Sequence, residues 1–336
     1  MTIRLSICIP TFNRAAFIEE TIESVLSQNM DGVEIVVSDN CSQDDTEKIV
    51  HQLQQKFSRI TYFRWEANKG ADLNYLKAVE IARGEYCWLL GSDDALIPGA
   101  VSRVISEIKQ GYDIYLCNRI DCSYSLQPFK KFNWLNKSAD KVFDFRQRED
   151  IVDYFKSARA LGAVFSYLSS IIVNRSSWNS VDYDSTMTGT AYSHAYILLA
   201  LVADGAKLKY VHDALVMNRM GNDSFAQDGE LQRFLLDIDG YLKLASKLFV
   251  DEEVRSIFLN IMTHEHPWYR LAKIKYFNKD KWTIVQDRLY PFGYSNRSFI
   301  AIKLIGSTPY LIKIMRILKR VYESTSTWLQ KWFAKI

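Results

Sequence analysis

The first 118 residues alternate between short apolar runs and amphipathic stretches. Leu5-Ser6-Ile7-Cys8-Ile9, Val33-Glu34-Ile35-Val36-Val37, Ile60-Thr61-Tyr62-Phe63-Arg64 and the run from Tyr86 to Leu90 read as buried strands. Pro10-Thr11 is expected to end the first strand, because proline removes a ladder donor. Apolar residues recur at helical spacing between the strands. They are Phe17, Ile18, Ile22, Val25 and Leu26, then Ile49, Leu53 and Phe57, then a stretch from Leu73 to Ala82, then Val101, Val104, Ile105 and Ile108. Ser42, Asp44, Asp45 and Thr46 supply turn and N-cap chemistry before the second helix, and Pro98-Gly99 opens the fourth. A further strand is expected over Ile114 to Asn118. Strand and helix alternate four times, so right-handed crossovers predict an α/β fold with a parallel sheet and helices on both faces.

In such a sheet Thr11, Asp39, Asn68 and Asp93 emerge at one rim, the edge where α/β proteins bind ligands. Each is also an ordinary turn residue, and Lys69 could be a solvated charge. Asp93 and Asp94 follow the apolar run directly, and neighbouring carboxylates repel unless a cation or a hydrogen-bond network stabilises both. Hard oxygen ligands on a short turn suit Mg²⁺ or Mn²⁺, which would hold a phosphorylated ligand; the plain alternative is an Asp-Asp turn capping the next helix. The first loop lacks G-x-G-x-x-G and no G-x-x-x-x-G-K-[ST] occurs, which argues against dinucleotide oxidoreductases and P-loop enzymes.

Bulk properties narrow the class only a little. A net charge of +3 over 336 residues gives no argument for a nucleic-acid partner. Cys8, Cys41, Cys87, Cys117 and Cys122 lack zinc-like spacing and read as reduced, mostly buried thiols. No signal-peptide pattern precedes the first strand, and no apolar run reaches the ~18 residues of a membrane span, so a cytoplasmic protein is expected.

Several runs together carry a resemblance. They are Ser6-Ile7-Cys8-Ile9-Pro10-Thr11-Phe12-Asn13-Arg14, the run Glu34 to Thr46 with Ser38-Asp39-Asn40-Cys41-Ser42 inside it, Asn68-Lys69-Gly70, Ala82-Arg83-Gly84-Glu85-Tyr86 and Asp93-Asp94. In order and spacing they resemble the family 2 glycosyltransferases of GT-A fold, over about the first 115 residues. The resemblance implies a Rossmann-like, mostly parallel sheet, a nucleotide-sugar donor (UDP, GDP, CDP or dTDP), a divalent metal and attack by an acceptor hydroxyl, usually with inversion. By that resemblance Pro10, Thr11, Asn13 and Arg14 line the nucleotide pocket, Asp39 meets the base ring, and Asn68 and Lys69 lie near base and ribose. The family's metal motif usually reads Asp-x-Asp, and Gly91 stands where its first Asp would be. Asp93 matches the second carboxylate, so Ser92-Asp93-Asp94 is expected to bind the donor and Mn²⁺ or Mg²⁺ with fewer charges near the ribose. The wording Gly91-Ser92-Asp93-Asp94, followed by Ala95-Leu96-Ile97-Pro98-Gly99-Ala100, is similar to the abequosyltransferase-like branch, which adds deoxyhexoses to lipopolysaccharide O-antigen.

Residues 121–150 are aromatic and charged, with Phe129, Phe132, Trp134, Phe143 and Phe145, and read as an irregular connection beside the acceptor site or as packed surface aromatics. Arg148 to Ser157 reads as a helix, and Tyr167 to Val173 as a strand returning to the sheet. The family's catalytic carboxylate usually lies at a helix start eleven residues ahead of a glycine. Counting back from Gly205 lands on His194. An imidazole has a reference pKa of ~6.5, suited to deprotonating a hydroxyl near neutral pH, and a helix N-terminus disfavours its cation. A histidine hydrogen-bonded inside the fold is the alternative, and Asp182 or Asp184 would serve if the register slips. Lys207–Val211 and Ala214–Met217 read as two strands. The loop Asn218 to Ser224 follows, where the resemblance gives Arg219 the task of neutralising the leaving group. His212 has a metal-ligand or a plain hydrogen-bonding reading, and His264-Glu265-His266 is not a zinc motif.

Beyond Gly229 helices are expected to the end. Residues 297–336 carry eight basic residues against Glu323, interleaved with apolar ones that include Trp328 and Trp332. Such a helix suits an anionic membrane surface, or else packs on the catalytic region or a second subunit. The expected organisation is a glycosyltransferase domain over 1–225, with a nucleotide-sugar-binding half at 1–118 and an acceptor-binding half at 119–225. A helical region follows at 226–336. The expected activity is metal-dependent sugar transfer to a glycan, with a lipid-linked O-antigen intermediate as the acceptor and the inner face of the cell membrane as the location. His194, Asp94 and Arg219 are its catalytic candidates. The rivals are a sugar nucleotidyltransferase, whose glycine-rich basic loop is missing, and a membrane-associated carbohydrate-binding protein, suggested by Gly91 and His194 standing in place of acids.

Overall fold

The computed structural model describes residues 3–222, 225 and 229–308. One sheet holds β1 (Leu5–Thr11), β2 (Val33–Asp39), β3 (Ile60–Arg64), β4 (Tyr86–Leu89), β5 (Ala95–Leu96), β6 (Ile114–Cys122), β7 (Pro128–Phe132), β8 (Lys141–Asp144), β9 (Ile171–Asn174) and β10 (Lys207–Arg219). Its order is β3-β2-β1-β4-β9-β6-β10-β5, with β7 beside β6 and β8 beside β10. From β3 to β10 only β9 runs against its neighbours, so the sheet is mostly parallel, as the alternating pattern predicted. The helices are α1 (Ile18–Leu26), α2 (Thr46–Lys56), α3 (Ala71–Glu80), α4 (Ala100–Glu107), α5 (Arg148–Ser157), α6 (Arg175–Ser180), α7 (Ser193–Ala203), α8 (Glu230–Leu248), α9 (Glu252–Glu265), α10 (Trp268–Phe277), α11 (Trp282–Arg288) and α12 (Asn296–Ile305).

Period-two alternation sorts each inner strand between two layers. Leu5, Ile7 and Ile9 of β1 pack with Ile22, Val50 and Val104 from α1, α2 and α4. Cys8 faces the opposite layer, with Ala78, Leu198 and Val202 of α3 and α7. That second layer also takes Phe234, Tyr241, Phe258 and Ile302, so the C-terminal helices share one apolar core with the sheet. All five cysteines are free, and only Cys41 is partly accessible. No helix among the described residues is long and apolar enough to cross a membrane.

Several boundaries differ from the sequence expectation. β1 runs through Pro10 to Thr11. Cys8 turns its carbonyl toward β4 and accepts from Leu90, so Pro10, two residues on, faces the same side; β4 has already left there, and no ladder donor is missed. The two strands read at 207–217 are one strand, β10, with a register irregularity between Val211 and Val216. Residues 167–170 are not strand; they lead into a shorter β9. The segment 121–150 folds back as β7 and β8, and β5 is added as a two-residue strand. Residues 309–336, most of the predicted basic helix, and residues 223–224 and 226–228, part of the loop after Arg219, lie outside the described residues.

Gly162 marks the tightest packing in this half. A Cβ there would lie 2.2 Å from the Trp134 ring, which is buried and donates its Nε1–H to Ser170 Oγ at 2.8 Å. Gly162→Ala is expected to lower stability by about 1–3 kcal/mol, the usual range for overpacking a core, measured as a shift of the urea midpoint at unchanged slope.

Candidate active site

The parallel strands deliver their C-terminal ends to one rim, where short polar loops tie them to each other. Asn74 on α3 donates to the carbonyls of Thr11 (3.2 Å) and Ser38 (2.9 Å), joining the ends of β1 and β2. Asn40 donates to Asn68 Oδ1 at 2.8 Å and accepts from Lys69 N–H, which joins the loop after β3. Asn13, in the left-handed region at φ 53°, donates its N–H to Ser42 Oγ and accepts from Gln43 N–H. Pro10, Thr11 and Asp39 are buried, while Asn13, Asn68 and Lys69 are exposed and Arg14 is half-buried. Asp39 does not present a free carboxylate. It accepts from Ser42 N–H and Oγ and from the Tyr62 hydroxyl, at 2.6–2.9 Å.

A cavity of about 490 Å³ opens beside the end of β4, within the size range of ligand sites. Arg14, Gly91, Asp93, Asp94, His194 and Arg219 all line it. Ser92 is buried in the same turn. The two carboxylates point differently. Asp93 Oδ2 accepts from Asn222 Nδ2 at 2.6 Å, and no other side chain among the described residues donates to it. Asp94 accepts on Oδ2 from the hydroxyls of Tyr167 (2.6 Å) and Ser169 (2.5 Å), and on Oδ1 from the Arg219 N–H (3.1 Å). Burial, reinforced by the Asp93 charge, raises the Asp94 carboxyl to about 6 against the pull of those hydrogen bonds. Ionising Asp94 therefore works against folding, and its contribution to stability falls as pH climbs from the ordinary aspartate value toward about 6. Burial also raises Asp93, with the Arg14 charge opposing it.

The inward turn of Asp94 accounts for the glycine at 91. A Cβ there would stand 3.2 Å from both Asp94 Oδ2 and Ser169 Oγ, so the volume of a side chain at 91 is taken by the Asp94 cluster. Arg219 clamps the turn. Its Nε donates to the Asp93 carbonyl at 2.8 Å, and its other nitrogens reach the Tyr124 carbonyl and the Glu20 carboxylate at 2.5 Å, with the Phe17 ring 4.9 Å from the guanidinium. Arg14 pairs with no carboxylate among the described residues. Among those residues no group of three His, Cys, Asp or Glu side chains converges to hold a metal. The donor set fits an ion that takes one carboxylate and fills its other positions from substrate phosphates, the habit of Mg²⁺ and Mn²⁺.

His194 lies across the cavity at the start of α7, placed there by Asp72 on α3. The Asp72 carboxylate accepts the N–H groups of Gly189, Ala191 and Ser193 at 2.8–2.9 Å, which bends the chain through a left-handed Ala191 (φ 64°) into the helix. His194 Nε2 lies 2.8 Å from the Phe165 carbonyl, which can only accept, so Nε2 carries the proton and Nδ1 is the open acceptor. Nδ1 is buried with no hydrogen-bond partner among the described residues. Burial lowers the ring to about 4, against the attraction of Asp72, so the imidazole is neutral throughout the physiological range. Asp182 and Asp184 do not line the cavity; Asp184 caps a turn, and Lys247 holds it below the usual carboxylate range. His212 meets Asn133 at 3.3 Å, away from the cavity.

Other lining residues escaped the sequence reading. Arg119 on β6 lies 4.6–5.3 Å from the rings of Tyr167, Trp134 and Phe132, and pairs with Asp121 at 2.8 Å. Tyr192 just ahead of α7 lines it too, and Arg233, Glu265 and Arg270 bring the C-terminal helices to the cavity wall. Tyr192 and Arg233 both bond Asp237, which also accepts from His266 Nε2 at 2.8 Å. The aromatic character of 121–150 was the one available signal for Arg119. Nothing in the local pattern of 230–270 singles out its contributors.

Residues 6–178 match the family described as Glycosyl transferase family 2. The abequosyltransferase RfbV of Salmonella typhimurium is 33% identical over 325 residues, covering 94% of this chain and 97% of that protein. A Campylobacter jejuni protein, the GalNAc(5)-diNAcBac-PP-undecaprenol beta-1,3-glucosyltransferase, is 27% identical over 73% of this chain and 74% of its own. Two solved structures share the fold at 14% identity. Staphylococcus aureus TarS 1-349 in complex with UDP-GlcNAc has a TM-score of 0.63, covering 96% of this chain and 92% of that one. The mannosyltransferase PcManGT from Pyrobaculum calidifontis, in complex with GDP-Man and Mn²⁺, has a TM-score of 0.60, covering 98% and 83%. The extent of the family match, together with a relative one-third identical across nearly its whole length, means that this chain belongs to glycosyl transferase family 2, with the GT-A-like architecture that its strand-end cavity serves.

Proposed function

We propose that this glycosyltransferase moves a sugar, of the deoxyhexose class, from a nucleotide-sugar donor to a hydroxyl of a lipid-linked surface-polysaccharide intermediate. The observation that carries this reading is one cavity lined on one side by Asp93 and Arg14 and on the other by His194, whose buried Nδ1 has no hydrogen-bond partner among the described residues. The names of the two relatives support the sugar and acceptor classes, since one is an abequosyltransferase and the other acts on a PP-undecaprenol-linked glycan.

In this reading the base and ribose lie along the rim of Pro10, Thr11, Asn13, Asn68 and Lys69, and Asp39 acts through Ser42 and Tyr62 by holding that rim in shape. Asp93 would hold Mn²⁺ or Mg²⁺, which supplies neutralisation of charge on the departing diphosphate. Asp94 positions the turn that aims Asp93 and supports the site without being the principal ligand. Arg14, with no carboxylate partner among the described residues, meets the diphosphate, and Arg219 keeps the turn rigid and adds positive potential behind it. His194 Nδ1 accepts a hydrogen bond from the acceptor hydroxyl. A ring with so low a proton affinity is a weak base toward a resting alcohol. It becomes sufficient as the new C–O bond forms, because the attacking oxygen then turns strongly acidic. The hydroxyl attacks the anomeric carbon from the face opposite the diphosphate, giving inversion.

Asp93→Ala is expected to abolish Mn²⁺-dependent donor hydrolysis and to remove the extra thermal shift that Mn²⁺ adds to UDP, GDP, CDP or dTDP; a retained, metal-enhanced shift would rule out Asp93 as ligand. Chelation with EDTA should reproduce that loss in the parent protein, and Mn²⁺ should restore it. His194→Ala should lower transfer about 10²–10⁴-fold while leaving donor affinity within about twofold. Since the ring is already neutral above about 5, kcat should show no inflection near pH ~6.5 that disappears in His194→Ala. Wild-type transfer by that variant would sink the assignment.

A further inference from the structure

Charge is strongly segregated along the chain. Residues 267–336 carry fourteen Lys and Arg against three acids, whereas the preceding 266 residues carry the other 28 against 36. The catalytic part is thus net acidic, and the basic excess belongs to the segment that begins with α10. The described portion of that segment also exposes large apolar side chains. Trp268, Tyr269 and Phe277 on α10, Tyr290 before α12, and Ile300 and Leu304 on α12 are 37–61% exposed.

The α12 pattern is that of an interfacial helix. Its outer positions at helical spacing are Arg297, Ile300, Lys303 and Leu304, all exposed, and no acid occurs on the helix. α10 packs directly beside it: Lys275 Nζ donates to the Lys303 carbonyl at 3.3 Å, and Gly306 approaches so closely that a Cβ there would lie 2.9 Å from the Ala272 carbonyl. Lys273, Lys279 and Lys281 are exposed on the same segment. This surface adjoins the active-site cavity, because Arg270, two residues beyond Trp268, and Glu265, three residues before it, both line the wall.

We propose that α10 and α12 form a docking face for an anionic lipid bilayer, seated so that the Arg270 side of the cavity opens toward the headgroups. Lysines and arginines engage anionic headgroups, tryptophan and tyrosine occupy the interfacial layer, and Ile300 and Leu304 reach the acyl boundary. A net-acidic catalytic part is repelled by the same surface, so charge alone selects the orientation. A lipid-linked acceptor would then enter along the leaflet past α10, without leaving the bilayer. The orientation rests on the lipid-linked acceptor proposed above, whereas the docking itself does not depend on it.

The test uses full-length protein and vesicles of phosphatidylglycerol with phosphatidylethanolamine, with phosphatidylcholine vesicles as control. The parent chain should sediment with the anionic vesicles and be released by 0.5 M salt, roughly a Debye length of 4 Å. Lys273→Glu with Lys303→Glu, and separately Ile300→Glu with Leu304→Glu, should each lower partitioning at least tenfold, leaving Mn²⁺-dependent donor hydrolysis in solution unchanged. Parent-like vesicle binding by both variants would overturn the proposal. So would a dimer that the same substitutions dissociate in gel filtration, since the face would then join two copies of this chain. Donor hydrolysis absent from the parent itself would count against the transferase reading alone, while the vesicle result would still decide the docking face.

Discussion

The site depends on a buried carboxylate that does no visible binding of its own. Asp94 gathers three separate segments: Tyr167 and Ser169 ahead of β9, the Arg219 N–H at the end of β10, and its own turn after β4. A charge in that position is costly unless its acceptors are filled, and three donors at 2.5–3.1 Å fill them. The arrangement holds the antiparallel β9 and the long β10 against the parallel half of the sheet where the cavity opens. It also leaves Asp93 as the outward carboxylate, and it uses the space that a side chain at Gly91 would need. Of the two adjacent carboxylates, one is thus tied into the cavity wall by its neighbours and the other is left facing outward.

The opposite wall is organised by a second buried aspartate. Asp72 accepts the N–H groups of three alternate residues, 189, 191 and 193, at the entry to α7 and thereby orients His194, much as Asp94 orients Asp93. One side of the cavity thus carries the Arg14 charge and the other a neutral ring. The transfer proposed above rests on that division, with charge accumulating on a leaving diphosphate and a proton departing from an incoming hydroxyl. The C-terminal helices complete this wall through Arg233, Glu265 and Arg270 and share the sheet's apolar core, so they shape the cavity as well as covering the fold.

Most of the framework was legible in the chain. Short apolar strands at 5–9, 33–37 and 60–64, and helices of clear period at 18–26 and 148–157, rest on local pattern, and local pattern is what sequence carries most directly. The strand-end position of Asp93 followed from those elements. The errors came where neighbours override local rules. Pro10 stays in its strand because the adjacent strand has gone, and the aromatics of 121–150 form β7 and β8 because β6 and β10 offer edges to pair with.

What residue order determined was a set of elements, the rim they share and the chemistry that rim could hold. What tertiary structure alone decided was the direction each polar group faces. Two adjacent aspartates diverge, one outward and one inward. Asp39 is consumed by Ser42 and Tyr62, and His194 loses much of its basicity to burial. Orientation and desolvation arise from atoms distant in sequence, and for that reason Arg233, Glu265 and Arg270 could reach the cavity wall without any local mark to announce them.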